Sequence, residues 1–108
     1  MSYIEVKEDG TLSVPDRATI GYIEGDGIGP DISKAAIEVI NASVETAYGG
    51  KRSIEWKKIL VGDEAYDKKG NRLPEESLND LKKCVVSLKG PLTTPIGEGF
   101  RSLNVTLR

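Results

Sequence analysis

ATIGYIEGDGIGPDI, residues 18–32, decides the fold. Ala18 to Glu24 is a short apolar strand, and it runs at once into Gly25-Asp26-Gly27-Ile28-Gly29. Pro30 suits the first helical position, where its missing N–H leaves nothing unpaired, and Asp31 suits the positive end of the helix dipole. Ile32, Ala36, Val39, Ile40, Val44 and Ala47 then fall on one stripe at helical spacing, and Gly49-Gly50 stops the helix. The glycine turn admits two readings, an anion cradle or a tight strand-to-helix connection. Its spacing is G-x-G-x-G, not the G-x-G-x-x-G of dinucleotide-binding folds, and no acid closes a second strand about 20 residues on. The chain is therefore not a Rossmann domain, and no site residue is assigned to this turn.

Upstream, residues 3–14 read as a hairpin. Ile4 and Val6 alternate with polar neighbours, Asp9-Gly10 supplies the turn, and Leu12 and Val14 return. This is an antiparallel edge ribbon without chemistry. Downstream, Ser53 to Val61 is a second strand and Gly62 to Arg72 a polar loop. The acids Asp63, Glu64 and Asp67 of that loop read as solvated charge, since nothing nearby completes a metal shell. Pro74, Glu75 and Glu76 open a second helix with Leu78 and Leu81 inward and Lys82-Lys83 at its negative end. Cys84 to Leu88 is the third strand. The order is a β-hairpin followed by β-α-β-α-β, an α/β fold with a mostly parallel sheet and right-handed crossovers. The loops after the first and third strands are expected to meet along one sheet edge.

The 108 residues suffice for one small domain, and 15 basic against 17 acidic residues, scattered along the chain, argue against a nucleic-acid partner. No apolar run approaches the ~20 residues of a spanning helix. The start, MSYIEVKEDG, carries charges where a secretory signal has its apolar segment. The expectation is a cytoplasmic protein with no membrane partner. A single cysteine, Cys84, cannot form an internal disulfide and reads as a small buried hydrophobe. Histidine is absent, which removes His-based triads and zinc sites. Acid–base chemistry is left to carboxylate, lysine, tyrosine or thiol.

Lys89 to Arg108, KGPLTTPIGEGFRSLNVTLR, follows the third strand and is too polar to order itself by burying hydrocarbon. Loops at the carboxyl ends of parallel strands are where open α/β sheets bind ligands. Thr93, Thr94, Arg101, Ser102, Asn104 and Arg108 are groups suited to an anion with several carboxylates or phosphates, through bidentate guanidinium and directional hydroxyl and amide contacts. Composition alone leaves a plain solvated loop equally open.

GPLTTPIGEGFRSLNVTLR and YIEGDGIGPDI resemble the isocitrate/isopropylmalate (β-decarboxylating) dehydrogenase family, over essentially the whole chain. The spacing from Ser102 through Asn104 to Arg108 is similar to its prokaryotic isocitrate branch. The resemblance implies that Ser102 and Asn104 hold the substrate γ-carboxylate that isopropylmalate lacks, and that Arg108 grips other carboxylates. It implies that Thr93 touches the nicotinamide end of the cofactor with Leu92 and Thr94 beside it, Lys89 adding a secondary charge. In some bacterial members the matching serine is phosphorylated, and a charge of about −1.5 to −2 at Ser102 would repel a tricarboxylate. Glu98 departs from the small residue common in relatives and is read as pointing outward; Phe100 is a harmless change.

The family's tyrosine–lysine acid–base pair, its magnesium aspartates and its 2′-phosphate segment have no counterpart here. No catalytic or metal residue is therefore expected within residues 1–108, which read as the N-terminal part of a discontinuous large domain, inactive alone. The whole protein would convert isocitrate to 2-oxoglutarate in the tricarboxylic acid cycle with NADP (or NAD) and Mg2+ or Mn2+, as a cytoplasmic homodimer. The rival readings are a homoisocitrate or isopropylmalate enzyme, against which Ser102 with Asn104 argues, and a non-catalytic truncated paralogue.

Overall fold

The computed structural model describes residues 2–92 and 107. Two short strands open the chain: β1 (Ser2–Tyr3) and, after Ile4, β2 (Glu5–Val6), which pairs antiparallel with β3 (Leu12–Ser13). The seven-residue β4 (Arg17–Ile23) follows, and every other strand of the main sheet pairs with it. β5 (Ser53–Lys58) lies parallel along one side, Arg17 opposite Ser53 through Tyr22 opposite Lys58. β1 and β6 (Ser87–Lys89) share the other side. β1 lies beside Ala18 and Thr19 near the start of β4, and β6 beside Gly21 to Ile23 at its end. All three pairings are parallel: those of β5 and β6 with β4 follow from the helices that connect them, whereas β1 reaches β4 through the β2–β3 ribbon.

The expected hairpin exists, with Asp9 accepting from both the amide and the hydroxyl of Thr11 at its turn. It is not the sheet edge, however. The ribbon forms its own two-stranded sheet, and the residues before it, Ser2–Tyr3, take the edge position. Buried Ile4 sits between the two and directs the chain from one sheet to the other.

α1 (Gly29–Tyr48) begins with proline in its first turn and ends at Gly49, whose left-handed φ of 58° lets its amide reach Glu45 O. The buried stripe differs from the expected one. Ser33, Ala36, Ile37, Ile40 and Val44 face inward, whereas Ile32, Val39 and Ala47 are exposed. The reason is Ser33, whose hydroxyl donates to Glu24 O at 2.8 Å and sets the rotation of the helix against the end of β4.

Residues 62–72 are not a plain loop. α2 (Asp63–Lys69) occupies most of them, with acids in its first turn, lysines in its last, Ala65 fully buried and Gly70 left-handed at its end. Its one short apolar contact is too brief to register as periodicity; charge placement and glycines make the helix. α3 (Glu75–Cys84) is placed as expected, but Cys84 closes the helix and does not open a strand. Carrying the helix that far buries the thiol against Gly21, where an added Cβ would lie 3.2 Å from Sγ. The reversal into β6 then takes one residue. Val85 adopts φ 65°, and Val86 N donates to Cys84 O at 2.6 Å, a γ-turn of the rare positive-φ kind.

The core is Ile23, Ile59, Val61 and Cys84, with Tyr3, Leu73, Leu81, Leu92 and Leu107 packed on it. Burial raises the Cys84 thiol above its ordinary value, which makes it inert, as befits a small hydrophobe. Thr19 is fully buried, and among the described residues its hydroxyl has no hydrogen-bond partner. An unpartnered buried hydroxyl destabilises by roughly 1–3 kcal/mol. Thr19→Val, which keeps the shape, is therefore expected to stabilise by about 1 kcal/mol, read as a higher urea midpoint at unchanged slope. A lower midpoint would show that the hydroxyl is satisfied.

Candidate functional site

The carboxyl ends of β4 and β6 lie side by side, and the chain leaving each meets the other. Gly90 N donates to Ile23 O at 2.8 Å, and Asp26 N donates to Pro91 O at 2.7 Å. The approach is backbone on backbone. A Cβ on Gly25, whose φ is 90°, would fall against Pro91 O and 2.8 Å from Gly90 C. A Cβ on Gly29 or Gly90 would fall against Glu24 O. The expected meeting of the two loops along one edge is thus what the structure has, and its physical basis is the absence of side chains at Gly25, Gly29 and Gly90.

Gly25 to Gly29 was open to two readings, and the geometry favours the connection over the cradle. The Asp26 amide is spent on Pro91 O and the Gly29 amide on Asp26 O at 2.8 Å. Two donors that a cradle would aim at an anion are already used. Asp26 itself is 7% exposed, and its carboxylate accepts from Asp63 N at 2.9 Å. Gly62, at φ 88° and ψ −144°, makes room for that carboxylate; a Cβ there would lie 2.7 Å from Oδ1.

Around this joint lies a small ionic network. Lys58 Nζ contacts Glu64 at 2.9 Å and Glu24 at 3.4 Å, and Lys68 contacts Glu64 at 3.2 Å. Asp63 pairs with Arg72. Asp63 and Glu64 therefore hold partners on α2 and beside it. Among the described residues no group of three His, Cys, Asp or Glu side chains could hold a metal.

Hydrogen bonding to Lys58 holds the Glu64 carboxyl below its ordinary value, and the same bond raises Lys58. The lowered carboxyl stabilises the fold above its unfolded value near 4.3, and that contribution is lost as pH falls through the folded value. The raised ammonium stabilises below about 10.4 and is lost as pH rises through its folded value. Between those limits the contribution is constant. Both side chains are about a third exposed, so screening keeps it under about 1 kcal/mol. Lys58→Met is expected to show that deficit at pH 7 and to lose it in acid, once Glu64 is protonated in the folded state, by urea unfolding. A deficit that persists in acid would mean that Lys58 acts through packing.

Of the six site residues drawn from the family likeness, Leu92 lies among the described residues, half-buried against the core. Thr93, Thr94, Ser102, Asn104 and Arg108 lie outside them, as do Glu98 and Phe100. Lys89 closes β6, its ammonium donating to Gly90 O at 2.9 Å. Asp26, Ser33, Gly62 and Gly90 shape the site without having been singled out as its members. For Gly62 a signal existed, a glycine directly before two acids and a buried alanine; for Ser33 there was none.

The sequence profile of the isocitrate/isopropylmalate dehydrogenase family matches residues 19–108. A protein of Aquifex aeolicus named isocitrate dehydrogenase (NADP) is 52% identical over 106 residues, 98% of this chain and 25% of that protein. One of the same name from Staphylococcus epidermidis is 56% identical over 105 residues, again 25% of its length. The crystal structure of isocitrate dehydrogenase from Methylococcus capsulatus superposes with a TM-score of 0.71 at 42% identity, covering 82% of this chain and 24% of that one. A β-decarboxylating dehydrogenase from Thermococcus kodakarensis gives 0.64 at 31% identity, covering 83% of this chain and 25% of that one. The chain spans about a quarter of the length of the curated relatives it matches.

Proposed function

Because this chain belongs to the isocitrate/isopropylmalate dehydrogenase family, we propose that the protein carrying it oxidises isocitrate and releases CO2 to form 2-oxoglutarate, with NADP as hydride acceptor. The observation that carries the reading is the parallel pairing of β4 and β6, which brings the exit of β6 and the glycine turn together at the carboxyl rim of the sheet. Ligands of open α/β sheets bind at such a rim, and Thr93 to Arg108 continue directly from it. The names of the relatives support the same substrate and cofactor.

In this reading residues 1–108 are the N-terminal part of a discontinuous large domain. Ser102 and Asn104 hold the γ-carboxylate, Arg108 holds another carboxylate, and Leu92, Thr93 and Thr94 adjoin the nicotinamide. NADP when bound would accept the hydride of the alcohol carbon, with the hydroxyl proton passing to a base outside these residues, and loss of CO2 with uptake of one proton would complete the conversion to 2-oxoglutarate. A divalent ion, Mg2+ or Mn2+, would supply charge for that conversion from residues beyond these 108. A cytoplasmic homodimer is the accompanying expectation; no helix among the described residues is long and apolar enough to cross a membrane.

The test is substrate profiling of the native gene product with isocitrate, homoisocitrate and isopropylmalate, each with NADP and NAD. Isocitrate with NADP is expected to give the highest kcat/KM. Ser102→Ala removes one hydrogen bond to a charged carboxylate, about 1.5–3 kcal/mol, and is expected to lower kcat/KM for isocitrate by roughly 10- to 100-fold. A preference for isopropylmalate, or indifference to Ser102→Ala, would overturn the reading.

A further inference from the structure

Asp26 joins three separate segments through three different atoms. Its amide donates to Pro91 O at 2.7 Å, and its carbonyl accepts from Gly29 N at 2.8 Å. Its carboxylate accepts from Asp63 N at 2.9 Å. The residues on either side, Gly25 at φ 90° and Gly27 at φ 58°, resist rotation least of all residue types. The direction in which the Asp26 amide points is therefore not fixed by its own backbone. The buried side chain restrains it, held on the Asp63 amide at a place that glycine at position 62 leaves open. Pro91, which receives that amide, is followed directly by Leu92 and Thr93.

We propose that Asp26 is a positioning residue for the cofactor-side loop: by anchoring its carboxylate on the Asp63 amide, it aims its own amide at Pro91 and so sets where the chain beyond β6 begins. The assignment of that loop to the cofactor rests on the function proposed above; the anchoring does not. The bond to the Asp63 amide needs an acceptor oxygen at a set distance. Asp26 touches neither substrate nor cofactor in this account and acts through Pro91.

The test uses the native gene product with Asp26→Ala and Asp26→Asn, at a temperature where both are folded by circular dichroism. Asp26→Ala is expected to raise KM for NADP roughly tenfold while changing kcat by less than about threefold, and Asp26→Asn, which keeps the acceptor, to restore the parent KM. Native-state hydrogen exchange at the Asp26 and Asp63 amides is expected to quicken in Asp26→Ala and not in Asp26→Asn. An unchanged KM in Asp26→Ala, a fall in kcat alone, or equal damage from Asn and Ala would overturn the proposal. Should Asp26→Ala fail to fold, Asp26→Glu serves in its place; it keeps the charge but moves the acceptor by a methylene, and the same rise in KM is expected. If the parent shows no turnover of isocitrate with NADP, the proposed function fails, and the positioning role then stands or falls on the exchange result.

Discussion

Gly90→Ala is expected to destabilise the fold by about 3 kcal/mol or more, the sum of an overpacking cost and one or two buried hydrogen bonds lost. Gly90 is buried, and its Cβ would be driven against Glu24 O, 2.8 Å from Glu24 C and 3.1 Å from Ser33 Oγ. None of these can yield alone. Glu24 O already accepts from Ser33 Oγ, and Gly90 N is bound to Ile23 O. Relief requires β6 to move off β4, which opens the last rung of the ladder and frees α1 from the strand end. Urea unfolding of the parent and variant would read the loss. Gly49→Ala is the control, since Gly49 is left-handed with nothing within 4 Å of its Cβ position. There only the conformational cost of about 1–2 kcal/mol remains. Equal losses in the two variants would mean that backbone strain, and not the close approach of strand ends, dominates at Gly90.

The second large effect is at Gly62. Its φ of 88° with ψ of −144° lies in a region essentially confined to glycine, and forcing an L-residue there costs of order 1–3 kcal/mol. The added Cβ would also sit 2.7 and 2.9 Å from the two carboxylate oxygens of Asp26. Displacing that carboxylate strips Asp63 N of its acceptor. Gly62→Ala is therefore expected to cost about 2–4 kcal/mol, and the double variant Gly62→Ala with Asp26→Ala less than the sum of the two single changes. Additive losses would show that the glycine and the carboxylate act independently.

These two positions also mark where sequence reading reached its limit. The parallel α/β order was legible because Ala18–Glu24 and the polar-flanked helices each carry a periodicity of their own. The glycines of residues 25–29 were legible as a turn. The purpose of Gly25 was not, because the atoms it makes room for belong to Gly90 and Pro91, far along the chain. Likewise α2 was invisible, since a seven-residue helix with one buried alanine has no apolar stripe to read. Cys84 was assigned to the following strand because an apolar run cannot announce a one-residue reversal at Val85. The inward face of α1 was misjudged for a related reason: a serine hydroxyl, not the greasiest arc, decides its rotation. The site residues themselves came from the motif spacing of Ser102, Asn104 and Arg108 and from the family likeness, which no local pattern supplies.

The position of β6 on the same flank of β4 as β1 also carries a kinetic consequence. Among the described residues β6 follows the other strands in the chain, and the strand it pairs with, β4, is already paired with β5 on its far side. Long-range closures of this kind form late, after the nearer crossover has ordered the strand that receives them. The rim that carries the proposed ligand site is thus expected to order late in folding, outside the nucleus. Damage there, as at Gly90, would accordingly hasten unfolding and leave the folding rate nearly untouched. Ligands that clasp this rim would lengthen the lifetime of the folded state without helping it to form.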